Sequence, residues 1–234
     1  MPKQLRSISR RGSLRRVFRS DEERLIDAYI ARLCVLYEDL KIEILAISAD
    51  SIPNLDVLDP VAEYTAPRNV GKYRRNYFLR RAIATLYEFA EGLRLLSECP
   101  DFAPVEPDFD SDAKKEWRTA TDFFNQNKGL IKNVRNDIGG HFGSQAAIYA
   151  VPNLSLDAAG KIEIERDAPN GRIWAKMHFA GDIAAAALMR HLQGGTPEEQ
   201  VGGFMDNLLV PGLRYATGCV HILAMHYLWP RFGR

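Results

Sequence analysis

Arg135, Asn136, Asp137 and His141 fall within one seven-residue segment, Arg135-Asn136-Asp137-Ile138-Gly139-Gly140-His141, and their types suit chemistry at a phosphodiester. A guanidinium binds phosphate through paired N–H donors and stays charged at physiological pH. An imidazole titrates near neutrality, so it can take up or release a proton during a reaction. Cleavage of RNA by such a pair needs no metal: the 2′-hydroxyl of the substrate is the nucleophile, and the cation offsets charge building on the phosphate. Asn136 can orient either group or hold a phosphate oxygen. Asp137 can fix the imidazole tautomer, although its charge opposes an anionic substrate. In a regular helix Arg135 and His141 would point about 120° apart, and Gly139-Gly140 is expected to end or bend the helix and swing His141 back. The same residues also have a purely structural use. Arg135 would pair with a nearby acid, the glycines would form a helix C-cap, and His141 would cap or pack.

Long amphipathic helices are expected to position this segment. Ser20-Asp21-Glu22-Glu23 has the form of a capping box, and Ile26, Tyr29, Leu33, Leu36, Leu40, Ile44 and Ile47 continue at three- and four-residue steps to about Ser48. Pro53, Pro60 and Pro67 mark a linker, with the next helix starting near Lys72 and keeping its seam through Leu79, Ala82 or Ile83, Leu86, Phe89, Leu93 and Leu96. A third helix, from about Ser111, carries Trp117, Ala120, Phe124, Asn127, Ile131, Val134 and Ile138 into the motif. Beyond it, the alternation in Lys161 to Arg166 and Arg172 to Phe179 around Pro169-Asn170-Gly171 predicts a β-hairpin. Asp182 to Gln193 reads as a short Ala-rich helix. Thr196-Pro197-Glu198-Glu199 starts a last long helix, which Pro211-Gly212 should kink or split.

The Arg135-to-His141 segment resembles the R-x(4–6)-H signature of the HEPN superfamily, with five residues between arginine and histidine and Asn136 as the polar residue after the arginine. The stretch from about Tyr73 to Phe142 carries the resemblance. It implies a mainly α, HEPN-like helical bundle, here with a small β-hairpin insertion. It also implies a metal-independent endoribonuclease of toxin–antitoxin or phage-defence type, with Arg135 binding phosphate, His141 moving protons and Asn136 in support. A homodimer acting on RNA, and an antitoxin or other protein partner, are implied as well. The alternative is a non-catalytic HEPN-like helical protein that binds a partner protein or small ligand. Lys72, Arg74, Arg75, Arg80 and Arg81 form a separate basic cluster, in which Arg74 and Arg81 share a helix face and are candidates for substrate phosphate; a solvated face paired with acids is their plainer use.

Composition bounds the rest. With 234 residues, 46% hydrophobic and 26% charged, the chain is expected to form a basic arm over 1–19 and a single helical domain over 20–234, with the hairpin at about 161–179. Lys3, Arg6, Arg10, Arg11, Arg15, Arg16 and Arg19 precede the first acid, Asp21, so a net charge of +1 hides a basic arm on an acidic body. Cys34, Cys99 and Cys219 lack disulfide or zinc spacing, which points to a reducing, cytoplasmic setting. No uninterrupted apolar run reaches about 18 residues, so no membrane span is expected. GxSxG, Walker, GxGxxG and HExxH patterns are missing, and no cofactor or metal is expected. His221 and His226, five apart, read as buried and hydrogen-bonded histidines, not ligands.

Overall fold

The structure, a computed structural model, describes residues 9–11, 13–18, 24–48, 67–139, 142–154, 162–167, 172–177, 180–192 and 197–232. It is mainly helical. In chain order the elements are α1 (Leu14–Val17), α2 (Leu25–Ser48), α3 (Pro67–Ser97), α4 (Ser111–Val134), α5 (Ser144–Ala150), β1 (Ile162–Asp167), β2 (Arg172–Met177), α6 (Ala180–Met189), α7 (Pro197–Phe204) and α8 (Val210–Leu223). The Ser20–Glu23 capping box, Thr196 and the turn at Pro169-Asn170-Gly171 lie outside the described residues. α3 starts at Pro67, where the linker was expected to continue, because a proline in the first helical turn sacrifices no internal hydrogen bond. α4 starts at Ser111, where Asp110 Oδ1 accepts the Ala113 N–H at 2.8 Å.

Three turns among the described residues widen to π-helical geometry: Arg135–Gly139, Met205–Leu209 and Ala224–Leu228. Pro211 and Pro230 each follow one of the last two by two residues. Proline has no N–H to donate and its ring crowds the carbonyl four residues back, so a wider turn relieves the conflict there. No proline stands near the Arg135–Gly139 turn, which therefore has another cause.

The chain groups into two compact units. Unit 1 comprises Met1–Glu38, Glu88–Gln126 and Gly212–Arg234. Its core takes Ile26, Ile30 and Leu33 from α2, Phe89, Leu93 and Leu96 from α3, and Trp117, Ala120 and Phe124 from α4. Phe102, Phe109 and Trp117 pack with ring centroids 5.3 to 6.2 Å apart. The arm's Val17 is buried, and Arg10 donates to the Trp229 and Phe232 carbonyls while lying 4.3 Å from the Trp229 ring centroid. Buried Asp27 accepts from the Tyr227 hydroxyl at 2.8 Å and from Arg231 at 3.1 Å. Burial, with the Asp27 bond second, pushes the Tyr227 phenol up to about 12, so it stays a donor at any physiological pH.

Unit 2 comprises Asp39–Tyr87 and Asn127–Pro211. Leu40 and Ile44 of α2, Ala82, Ile83 and Leu86 of α3, and Ile131 and Val134 of α4 continue the same three seams. α6 packs on α5 and on the Arg135–Gly139 turn. β1 and β2 pair antiparallel, with Ile162 opposite Met177 and Asp167 opposite Arg172. Taken through its wider turns, Glu199–Arg231 is long and apolar enough, by composition, to cross a membrane, although 44% of that window is buried within the structure. Polar residues such as Asn207 and His221 interrupt it, so it contains no unbroken apolar run of about 18 residues.

Tyr227→Phe removes a donor from a buried carboxylate while keeping the ring. It should cost about 1–2 kcal/mol of stability, seen as a lower urea midpoint with unchanged helix content by circular dichroism.

Candidate functional site

The site is the π-helical turn at the end of α4. Gly139 is buried against α3: a Cβ there would stand 3.4 Å from the Ala84 backbone nitrogen and 3.3 Å from Arg135 Cγ. There is thus room for a Cβ at this position but not for a branched side chain beyond it. The break was expected at Gly139-Gly140, but the helix already widens at Arg135, because the turn must bring Gly139 onto α3 while Val134 and Ile138 both stay buried.

Widening changes where the polar side chains go. Arg135 is half-buried, with its guanidinium carbon 5.2 Å from the Tyr87 ring centroid and its NH1 donating to Asn136 Oδ1 at 3.3 Å. Asn136 is exposed. Asp137, two residues on from Arg135, turns to α6, where its Oδ2 accepts from Arg190 NH1 at 2.9 Å and lies 2.7 Å from His191 Nε2. The Asp137 and His191 side chains are 15% and 14% exposed, so this bond is largely withdrawn from water. The backbone closes behind the turn as Gly143 N–H donates to the Asp137 carbonyl at 3.0 Å.

Of the expected site residues, Arg135 and Asn136 are brought into direct contact. His141 and Gly140 lie outside the described residues, as does the side chain of Arg74. Asp137 does hold an imidazole, but that of His191, 54 residues away. Nothing local in the sequence marks Arg190 and His191. They stand at the end of an Ala-rich helix, and only the packing of α6 on the turn brings them to Asp137.

Arg81 is half-exposed and stands with its Nε 3.4 Å from Glu43 Oε1, so the plainer use of this charge, pairing with an acid, applies to it. Burial raises the Glu43 carboxyl above the ordinary range, outweighing the Thr85 hydrogen bond and the Arg81 charge, which lower it. His221 is exposed, contrary to expectation, because Cys219, Ile222 and Leu223 take the core face of α8. His226 is half-buried, its ring centroid 5.2 Å from that of Phe109 and its Nε2 3.6 Å from Asp110 Oδ2. A separate cavity of about 280 Å³ in unit 2 is lined by Asn127, Gln200, Phe204 and Asn207, among others, and none of Arg135, Asn136 or Asp137 reaches it.

No family model, curated protein or solved structure matches this chain. The site is therefore read from its own geometry. A guanidinium held by an aromatic face and an amide is ready to bind an anion, and an imidazole with a fixed carboxylate partner is ready to move a proton.

Gly139→Val drives a branched side chain into the α3 backbone and should destabilise the fold by about 1–3 kcal/mol, a drop of several degrees in Tm. Glu43 gives a pH-dependent counterpart. Its folded pKa lies above the unfolded one, so its favourable contribution is full at acid pH and is lost as pH rises through the folded value. Glu43→Gln should therefore raise Tm by roughly a few degrees at neutral pH and leave it unchanged near pH 4, as calorimetry at the two pH values will show.

Proposed function

We propose that this chain is a HEPN-type, metal-independent endoribonuclease of a toxin–antitoxin or phage-defence system. Arg135 binds the scissile phosphate, His141 transfers the proton, and Asn136 supports the guanidinium. The observation that carries the reading is the π-helical turn at Arg135–Gly139, which no proline accounts for and which sets Arg135 against Asn136 at 3.3 Å. Such turns are rare and frequent at functional sites, since their wider geometry redirects side chains. The Asp137-to-Gly143 bond closes the backbone on either side of the segment that includes His141.

In this reading the protein is cytoplasmic, acts as a homodimer and is restrained by an antitoxin or another protein partner. RNA approaches along the α3 surface through Arg74, with Arg81 paired to Glu43. The Glu199–Arg231 helix belongs to the protein's own core, not to a membrane. A second reading, a non-catalytic HEPN-like helical protein that binds a protein or small ligand, is favoured by one fact. The Arg135 guanidinium already lies over Tyr87 and bonds Asn136, an arrangement that also suits a structural residue.

The experiment is RNA cleavage by the full chain in the presence of a chelator. Arg135→Ala and His141→Ala should each lower the rate about 10²- to 10⁴-fold without loss of folding. Equal cleavage by both variants and the wild-type chain, or none by the wild type, rejects the catalytic reading in favour of the second.

A further inference from the structure

Cleavage by a 2′-hydroxyl needs two proton transfers. One group removes the hydroxyl proton as that oxygen bonds to phosphorus; another supplies a proton to the 5′-oxygen as its bond to phosphorus breaks. The products are a 2′,3′-cyclic phosphate and a 5′-hydroxyl, with no redox change and no co-reactant. The motif itself contains a single imidazole, that of His141. The structure sets another against the same turn, at the end of α6.

Building on the function proposed above, we propose that His191 is the second proton-transfer group of the Arg135 site, with Asp137 as its positioning residue and Arg190 as a second cation for the phosphate. Asp137 belongs to the five-residue turn that contains Arg135 and Asn136, so its bond to the imidazole ties His191 to the motif backbone. A carboxylate only accepts hydrogen bonds, so His191 Nε2–H donates to Asp137 and Nδ1 is left as the nitrogen that exchanges a proton. The same oxygen accepts from Arg190, whose side chain remains 38% exposed and so keeps donors open to an incoming anion. The result offsets the objection to an acid beside a phosphate site: Asp137 is screened by one permanent cation and one imidazole. Asn136, exposed between Arg135 and Asp137 in sequence, marks the part of the turn open to substrate.

The test uses the full chain with two readouts. In cleavage assays across about pH 5 to 9, His191→Ala should lower kcat about 10²- to 10⁴-fold, change KM little and remove one limb of a bell-shaped profile. His191→Gln, which keeps a hydrogen bond to Asp137 but cannot shuttle a proton, should not rescue it. Asp137→Asn should lower kcat without removing the limb. In NMR, His191 should appear as the Nε2–H tautomer, and its ring signals should shift when a 2′-deoxy oligonucleotide is added. If His141→Ala abolishes cleavage while His191→Ala keeps the wild-type rate and profile, the inference is overturned and the proposed function stands. A wild-type chain that cleaves nothing, with a His191 ring indifferent to the oligonucleotide, overturns both. A ring that responds in a chain that does not cleave keeps His191 in the binding site and rejects only the catalysis.

Discussion

Gly139 meets the α3 backbone at Ala84, and the geometry of the candidate site follows from that contact. A side chain longer than a methyl at position 139 would press on the α3 backbone. With glycine there, the turn can widen at Arg135 and still bury Val134 and Ile138. Arg135, Asn136 and Asp137 are the residues whose directions that widening resets. Arg135 lies over Tyr87 of α3, and Asp137 faces the end of α6. The motif is thus anchored on two sides by neighbours far from it in sequence.

The other two wide turns have a different origin, and the contrast is informative. At Met205–Leu209 and Ala224–Leu228 a proline two residues on removes a donor and crowds a carbonyl, so strain in the chain itself explains them. Tertiary packing alone accounts for the turn at Arg135. A distortion imposed by packing and populated by polar side chains is where chemistry is worth seeking.

Charge is handled by the same economy of contacts. Glu43 is buried deeply enough that desolvation outweighs the attraction of Arg81, so a charge that looked available to substrate is engaged with an acid. Asp27 Oδ1 accepts from a phenol and a guanidinium far along the chain, Tyr227 and Arg231, and Arg10 of the basic arm bonds the Trp229 and Phe232 carbonyls. These links tie Arg10 to the Trp229–Phe232 stretch within unit 1, although a run of positive charges with few apolar residues reads in isolation as a solvated tail.

The amino-acid sequence by itself determined the helical character and the seams. Leu33 and Leu40, Leu86 and Phe89, Trp117 and Ile131 recur at helical spacing and are buried as that spacing requires, because the period of an amphipathic helix is a local property. It also marked the segment at Arg135 and the proline-driven break near Pro211. Tertiary structure alone decided which face of α8 left His221 in solvent and that Asp137 binds the imidazole of His191. A hydrogen bond across 54 residues leaves no periodic trace, since its partners are chosen by how α6 packs on the turn.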